Sequence, residues 1–365
     1  MTKEELALLN IGENLDALMN LDPRGYGVCR ILYQGSRAYT GEPLTTHSAR
    51  MLTQNIRPKD IVFIITGFIL LPHKVPEMDG MVSSLLLARS LVQAFDAKPV
   101  IICPEDCLEA IKKCAGSVGL HCYEDLKQVE ALPLSVGVIA FTKDKTEAAE
   151  QAERIMEQVL PKAVIAVEAP GANENGEYHN AVGVNVTALE AKTDILFMKL
   201  KNRGILNIAI GDLGNEIGMG TIGDHIRKYI PYTSQEQCKC DCEGGTLSEA
   251  KADHIITATV SDWGCYGLMA ALAYLKKDIT IFHDSGLQRE VMRAVSGCGI
   301  VDMTGSLLPG IDGFSMSMNI TIVDLMRQCT EYAIQYEGNG GHWFEQVLAK
   351  GFFQEKQIGT VYDNV

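Results

Sequence analysis

The sequence predicts an α/β protein: a mainly parallel, helix-covered sheet of the Rossmann-like three-layer kind, with a small helical part at the N-terminus. Two observations predict it. From Asp60 onward, short β-branched apolar runs alternate with longer stretches at helical spacing, the pattern of βα units whose crossovers cover both sheet faces. Several of those runs also end abruptly at Thr, Glu or Gly, as buried parallel strands do at the carboxyl edge, where ligands bind.

Taken in order, residues 1–58 carry Leu6, Leu9, Leu15 and Leu18 at helical spacing, then a stretch punctuated by Pro and Gly. They read as a helical cap on the domain formed by 59–365. Strands are expected at Ile61–Thr66, Pro99–Cys103, Val136–Phe141, Ala163–Val167, Leu206–Ile210, His254–Thr259 and Ile279–His283. Helices are expected at Asp79–Phe95, Glu105–Cys114, Lys145–Val159, Val186–Lys201, Glu216–Lys228, Asp262–Leu275, Gln288–Val295 and Asn319–Gln335. Gly-Asn-Gly-Gly at 338–341 reads as a turn or linker.

A 365-residue chain that is 47% hydrophobic can bury a large core. Its net charge of -14 argues against a polyanionic partner, so no nucleic acid is expected. The longest apolar run, Ile61–Leu71, is interrupted by Thr66 and Gly67 and is too short to span a bilayer, and the N-terminus shows no signal segment. The expectation is a cytoplasmic protein that meets no membrane. Eleven scattered cysteines fit free thiols better than a disulfide scaffold. Cys238, Cys240 and Cys242 stand apart as Cys-x-Cys-x-Cys. Zinc sites usually space their cysteines more widely, and no His lies nearby at ligand spacing, so the favoured reading is a thiol-bearing mobile loop, with a structural metal as the alternative.

Four strand-end loops carry chemistry-bearing residues. The first, Thr66-Gly67-Phe68 followed by Glu77-Met-Asp79-Gly80, offers an acid to the sheet edge, although Asp79 is equally well read as a helix N-cap. The second opens with Glu168 at the end of an otherwise apolar strand, a costly place for a carboxylate without a partner, and continues to Tyr178-His179-Asn180. Asp212 and Glu216 sit in the third, a glycine-crowded turn after Leu206–Ile210. The fourth places Ser261 and Asp262 at a helix start, where free N–H groups hold anions or a cap suffices. Acids gathered at one edge suit a divalent cation, a substrate ammonium, or both. Gly218-Met-Gly-Thr-Ile-Gly223 matches a dinucleotide fingerprint, but two acids separate it from its strand, so no nucleotide cofactor is expected.

Together, Thr66-Gly-Phe with Asp79-Gly80, Glu168-Ala-Pro-Gly with Tyr178-His-Asn, Ile210-Gly-Asp-Leu-Gly-Asn-Glu-Ile-Gly-Met-Gly220, and His254-Ile-Ile-Thr-Ala with Ser261-Asp-Trp-Gly264 resemble the D-glutamate cyclase C-terminal domain family. The resemblance runs over most of the chain, from residue 60 to 330. Members often carry Asn where this chain has Asp262. The resemblance implies a lyase that reversibly dehydrates D-glutamate to 5-oxo-D-proline, in a stand-alone, bacterial-type version. That chemistry needs a base to free the amine and a Lewis acid or proton donor to polarise the γ-carboxyl group. The candidates are Glu168, His179 and Asp212 for catalysis and Thr66, Gly67, Tyr178, Asn180, Ser261 and Asp262 for substrate binding. Asp79, Glu168, Asp212 and Glu216 are candidates for holding Mg or Mn, favoured over Zn because these donors are oxygens. The expected partner is an amino-acid-sized substrate, with a homo-oligomer left open. A phosphatase-like metal-dependent hydrolase and a non-catalytic small-ligand sensor are the rival readings of the same acids.

Overall fold

The structure is a computed structural model that describes residues 1–235, 237–337 and 341–354. Three helices come first: α1 (Lys3–Met19), α2 (Val28–Thr40) and α3 (Leu44–Asn55). Thr2 and Glu5 form a capping box that starts α1. There follow β1 (Ile61–Ile65), a small hairpin of β2 (Ile69–Leu70) and β3 (Val75–Pro76), α4 (Met81–Phe95), β4 (Lys98–Pro104), α5 (Glu105–Cys114), β5 (His121–Tyr123), α6 (Leu126–Ala131), β6 (Ser135–Phe141) and α7 (Lys145–Gln158). The second half adds β7 (Ala163–Val167), α8 (Thr193–Asn202), β8 (Leu206–Gly211), α9 (Gly223–Tyr229), β9 (His254–Thr257), α10 (Ser261–Lys276), α11 (Ser285–Ser296), a hairpin of β10 (Gly310–Ile311) and β11 (Phe314–Ser315), α12 (Met316–Glu337) and α13 (Gly341–Ala349).

Seven strands form one sheet in the order β5-β6-β4-β1-β7-β8-β9, every pair parallel. Side-chain alternation divides the core between the two faces. Val62 and Ile64 of β1 join one hydrophobic cluster with α1, α3, α4, α10, α11 and α12, while Ile61, Phe63 and Ile65 join another with α2, α7, α8 and α9. The N-terminal helices therefore contribute to the same layers as the βα units. Helix α10 is buried all round from Ser261 to Tyr274, which explains its nearly continuous apolar sequence. A Cβ on Gly264 would stand 2.9 Å from Ile210 Cγ2, so α10 can approach β8 this closely only with glycine there.

Three expected elements differ. Ile279–Ile281 is a short 3-10 turn, not part of a strand: Asp278 accepts hydrogen bonds from the Thr280 N–H and hydroxyl, competing locally with strand pairing. Ile281 and Phe282 are still buried, so the apolar signal was real but its conformation ambiguous. Helix α9 starts at Gly223 and not at Glu216, because the Glu216 carboxylate holds the preceding turn. Helix α8 starts at Thr193, and the segment before it folds back so that the Val186 N–H reaches the Tyr178 carbonyl. The predicted linker at 338–341 lies, apart from Gly341, outside the described residues. No helix among the described residues is long and apolar enough to cross a membrane.

Candidate active site

From β1 the chain runs outward to β4, then returns to lay β7 on the other side of β1. Such a reversal parts the loops leaving the two strands and opens a crevice at their carboxyl ends. Thr66 and Gly67 leave β1 there, Glu168 leaves β7, and Asp212 leaves the neighbouring β8. A cavity of about 240 Å³ occupies the crevice, lined by Glu77, Asp79, Glu168, Asp212 and Asp312 among apolar residues such as Phe68 and Met303. That is small for a ligand pocket, suiting a compact metabolite better than a nucleotide.

Asp79, Glu168 and Asp212 are all buried, and one carboxylate oxygen from each lies within 4.8 Å of the other two. Their placement rests on helix termini. Asp79 is not the cap of its own helix. Its Oδ1 accepts from the Gly80 and Asp262 N–H groups (2.9 and 2.8 Å) and its Oδ2 from the Ser261 N–H (3.1 Å), so it caps α10. Asp262 returns the arrangement, with Oδ1 accepting from the Gly80 and Ser83 N–H groups at the start of α4 and Oδ2 from the Tyr266 hydroxyl. Two helix N-termini, each carrying partial positive charge, thus face the acids. Glu168 has φ +44°, and its Oε2 accepts a 2.5 Å bond from the Ser261 hydroxyl. Gly80 has φ +76°, and a Cβ there would meet Thr66 Oγ1 at 2.5 Å and Glu168 Cβ at 2.8 Å. Glycine is required on both counts.

Burial pushes the carboxyl groups of Glu77, Asp79, Glu168 and Asp212 well above their ordinary range. Repulsion adds to it, from Asp312 on Glu77, Asp262 on Asp79, Glu216 on Glu168 and Glu168 on Asp212. Carboxylates this close share protons or recruit a cation. The all-oxygen donor set fits a hard divalent metal, and the buried Thr66 Oγ1 has no hydrogen-bond partner among the described residues.

The remaining sequence-derived candidates separate. Asn180 lines the cavity. The Glu216 carboxylate is not in the acid cluster, because it accepts the N–H groups of Asp212, Leu213 and Gly214 and so shapes the turn that presents Asp212. The Tyr178 hydroxyl donates to Asp194. His179 turns its Nε2 to Cys240 and Cys242 instead of the acids, and burial lowers its pKa. Asp312 and Arg24 were missed. Asp312 lies in the turn of the β10–β11 hairpin and accepts a 2.7 Å bond from Arg24, which also donates to the Thr259 carbonyl. The Asp312-Gly313 pair, with φ of 54° and 78°, is a hairpin signature that could have marked this loop.

A sequence model described as "D-glutamate cyclase-like, C-terminal" matches residues 15–327. The chain belongs to this family. The match takes in Arg24 and every acid of the cleft, and it begins within α1. Human mitochondrial D-glutamate cyclase is 27% identical over 269 residues, covering 72% of this chain and 38% of the human protein. The chain thus matches well under half the length of that curated relative.

Proposed function

We propose that this protein is a lyase that interconverts D-glutamate and 5-oxo-D-proline in the acidic crevice between β1 and β7. The observation that carries the reading is the buried triad Asp79, Glu168 and Asp212 in a cavity of amino-acid size, within a D-glutamate cyclase-like chain. Ring closure joins the substrate nitrogen to the γ-carbon and breaks one γ-carbon–oxygen bond. The nitrogen gives up two protons, and the departing oxygen leaves with two as water, so the reaction needs groups that accept and return protons at neutral pH. Carboxyls whose proton affinity is raised by burial and mutual repulsion have that property. Glu168, oriented by Ser261, takes protons from the ammonium, and Asp212 passes protons to the leaving oxygen. With their protons displaced, Asp79, Glu168 and Asp212 would instead hold Mg or Mn, which when bound would polarise the γ-carboxylate and leave proton transfer to carboxylate oxygens not on the metal. Without a metal, the same acids would hold the substrate ammonium.

The test is chiral chromatography after incubation with each glutamate enantiomer, with and without a chelator. Lactam from D-glutamate in preference to L-glutamate is expected. No lactam from D-glutamate under any metal condition would overturn the reading, and turnover surviving complete metal removal would retain the cyclase and discard the metal.

A further inference from the structure

Residues 231–253, between α9 and β9, contain no helix or strand among those described. Their cysteines nevertheless converge. Cys238 Sγ lies 3.5 Å from Cys242 Sγ and 3.7 Å from Cys240 Sγ. His179, about 60 residues earlier on the loop after β7, places Nε2 3.1 Å from Cys240 Sγ and 3.5 Å from Cys242 Sγ. All four donor atoms lie within 4.8 Å of one another, and all three cysteines are free thiols.

We propose that His179, Cys238, Cys240 and Cys242 form a closed, four-ligand site for a structural zinc ion. Tetrahedral zinc with Zn–S of about 2.3 Å and Zn–N of about 2.05 Å has S···S edges of about 3.8 Å and N···S edges of about 3.5 Å. The S···S edges of 3.5 and 3.7 Å and the N···S edges of 3.1 and 3.5 Å lie at or a few tenths of an ångström below these values, and the other two edges are under 4.8 Å. Three sulfurs and one imidazole make a soft donor set that selects zinc over the hard cations suited to the acid crevice. N–H donors reach two of the sulfurs: the Asn173 side-chain amide and the Gly244 N–H both point at Cys242 Sγ at 3.5 Å, and the Asn185 amide at Cys240 Sγ at 4.0 Å. Such donors stabilise negative sulfur and orient metal ligands. With four protein ligands no position is left for substrate, so the site serves structure and not chemistry.

The clamp has a defined target. The His179 carbonyl accepts from the Asn215 side chain at 3.0 Å, and the Gly183 carbonyl accepts from the Lys239 N–H at 2.7 Å. Between them, Asn180, Ala181 and Val182 line the acidic cavity. The zinc therefore pins the cysteine loop onto the segment that walls the crevice.

The test measures metal by elemental analysis of the full chain purified without chelators, which bears on this site independently of any turnover. One zinc per chain is expected, retained after brief EDTA treatment that strips Mg or Mn, and lost in the Cys238→Ser/Cys242→Ser double variant. Because that variant could fail to fold, the unmodified protein is also refolded with Co(II). Thiolate charge-transfer bands with the intense visible absorption of tetrahedral cobalt are expected. Alkylation mapped by mass spectrometry should show the three cysteines protected until zinc is removed. Zinc-free protein with no cobalt–thiolate absorption, or a Cys238–Cys242 disulfide in freshly purified material, would overturn the proposal.

Discussion

Replacing Glu168 by Gln should move activity and stability in opposite directions. Three carboxylates within 4.8 Å of one another repel, and at an effective dielectric constant of about 20 each ionised pair at that separation costs about 3.5 kcal/mol. Proton uptake relieves part of this, so neutralising one member should stabilise the metal-free protein by about 1–3 kcal/mol. Gln keeps an oxygen able to accept the Ser261 hydroxyl bond, so that donor is not stranded. For 365 residues the unfolding entropy is about 0.8 kcal/mol per kelvin, which makes the gain about 1–4 °C in Tm. The same change should cost at least about 10²-fold in kcat for lactam formation, the usual scale for a lost acid–base group. Added Mn at about 100 times its dissociation constant should stabilise the parent protein by about 2.7 kcal/mol and the variant by less. The assay pairs calorimetry, with and without metal, with chromatographic rates. A variant that loses stability while keeping its rate would show that Glu168 is a structural acid and refute the reasoning.

Gly80→Ala forces a side chain into a φ of +76° against Thr66, Glu168 and the Val167 carbonyl, and should cost about 2–4 kcal/mol in urea denaturation along with most activity. Ser261→Ala removes the hydroxyl that fixes Glu168, and kcat/KM should fall about 10–100-fold with the fold intact by circular dichroism. His283 is buried, donates through Nε2 to Gln288, and has its pKa pushed down to about 3 by burial. Between that value and about 6.5 the unfolded chain binds the proton and the folded chain does not, so this contribution is complete above pH 6.5 and is lost as pH falls. It should remove about 2 kcal/mol between pH 7.5 and 5, a slope that His283→Gln abolishes in parallel denaturation curves.

Much of the sheet was legible because each buried strand is a run of β-branched residues cut off by an abrupt change in chemistry, as at Thr66, Glu168 and Gly211. The same endings identified Asp79, Glu168 and Asp212 as residues of one edge. Periodicity carried less where side chains bond the backbone locally: Asp278 turned a strand-like run into a 3-10 turn, and Glu216 held back the start of α9. The short edge strand β5, with its half-exposed Cys122 and Tyr123, offers no buried run to detect. Long-range pairing was the least visible. His179 is far in sequence from the cysteines it faces, and Arg24 is separated from Asp312 by almost the whole chain. Neither pair leaves a local spacing to find.

The exchange of caps between α4 and α10 gives the crevice a remote reporter. A carboxylate offers about four lone-pair directions, and Asp79 already commits three of them to the amides of Gly80, Ser261 and Asp262. Any cation or ammonium drawn to Asp79 must use the last one, on Oδ2, and will draw electron density away from those bonds. Occupancy of the cavity is thereby wired into the seam between two central helices. Amide exchange at Ser261 and Asp262 should register a bound ligand even for a substrate analogue that never reacts, so the resting protein can be titrated without watching its chemistry.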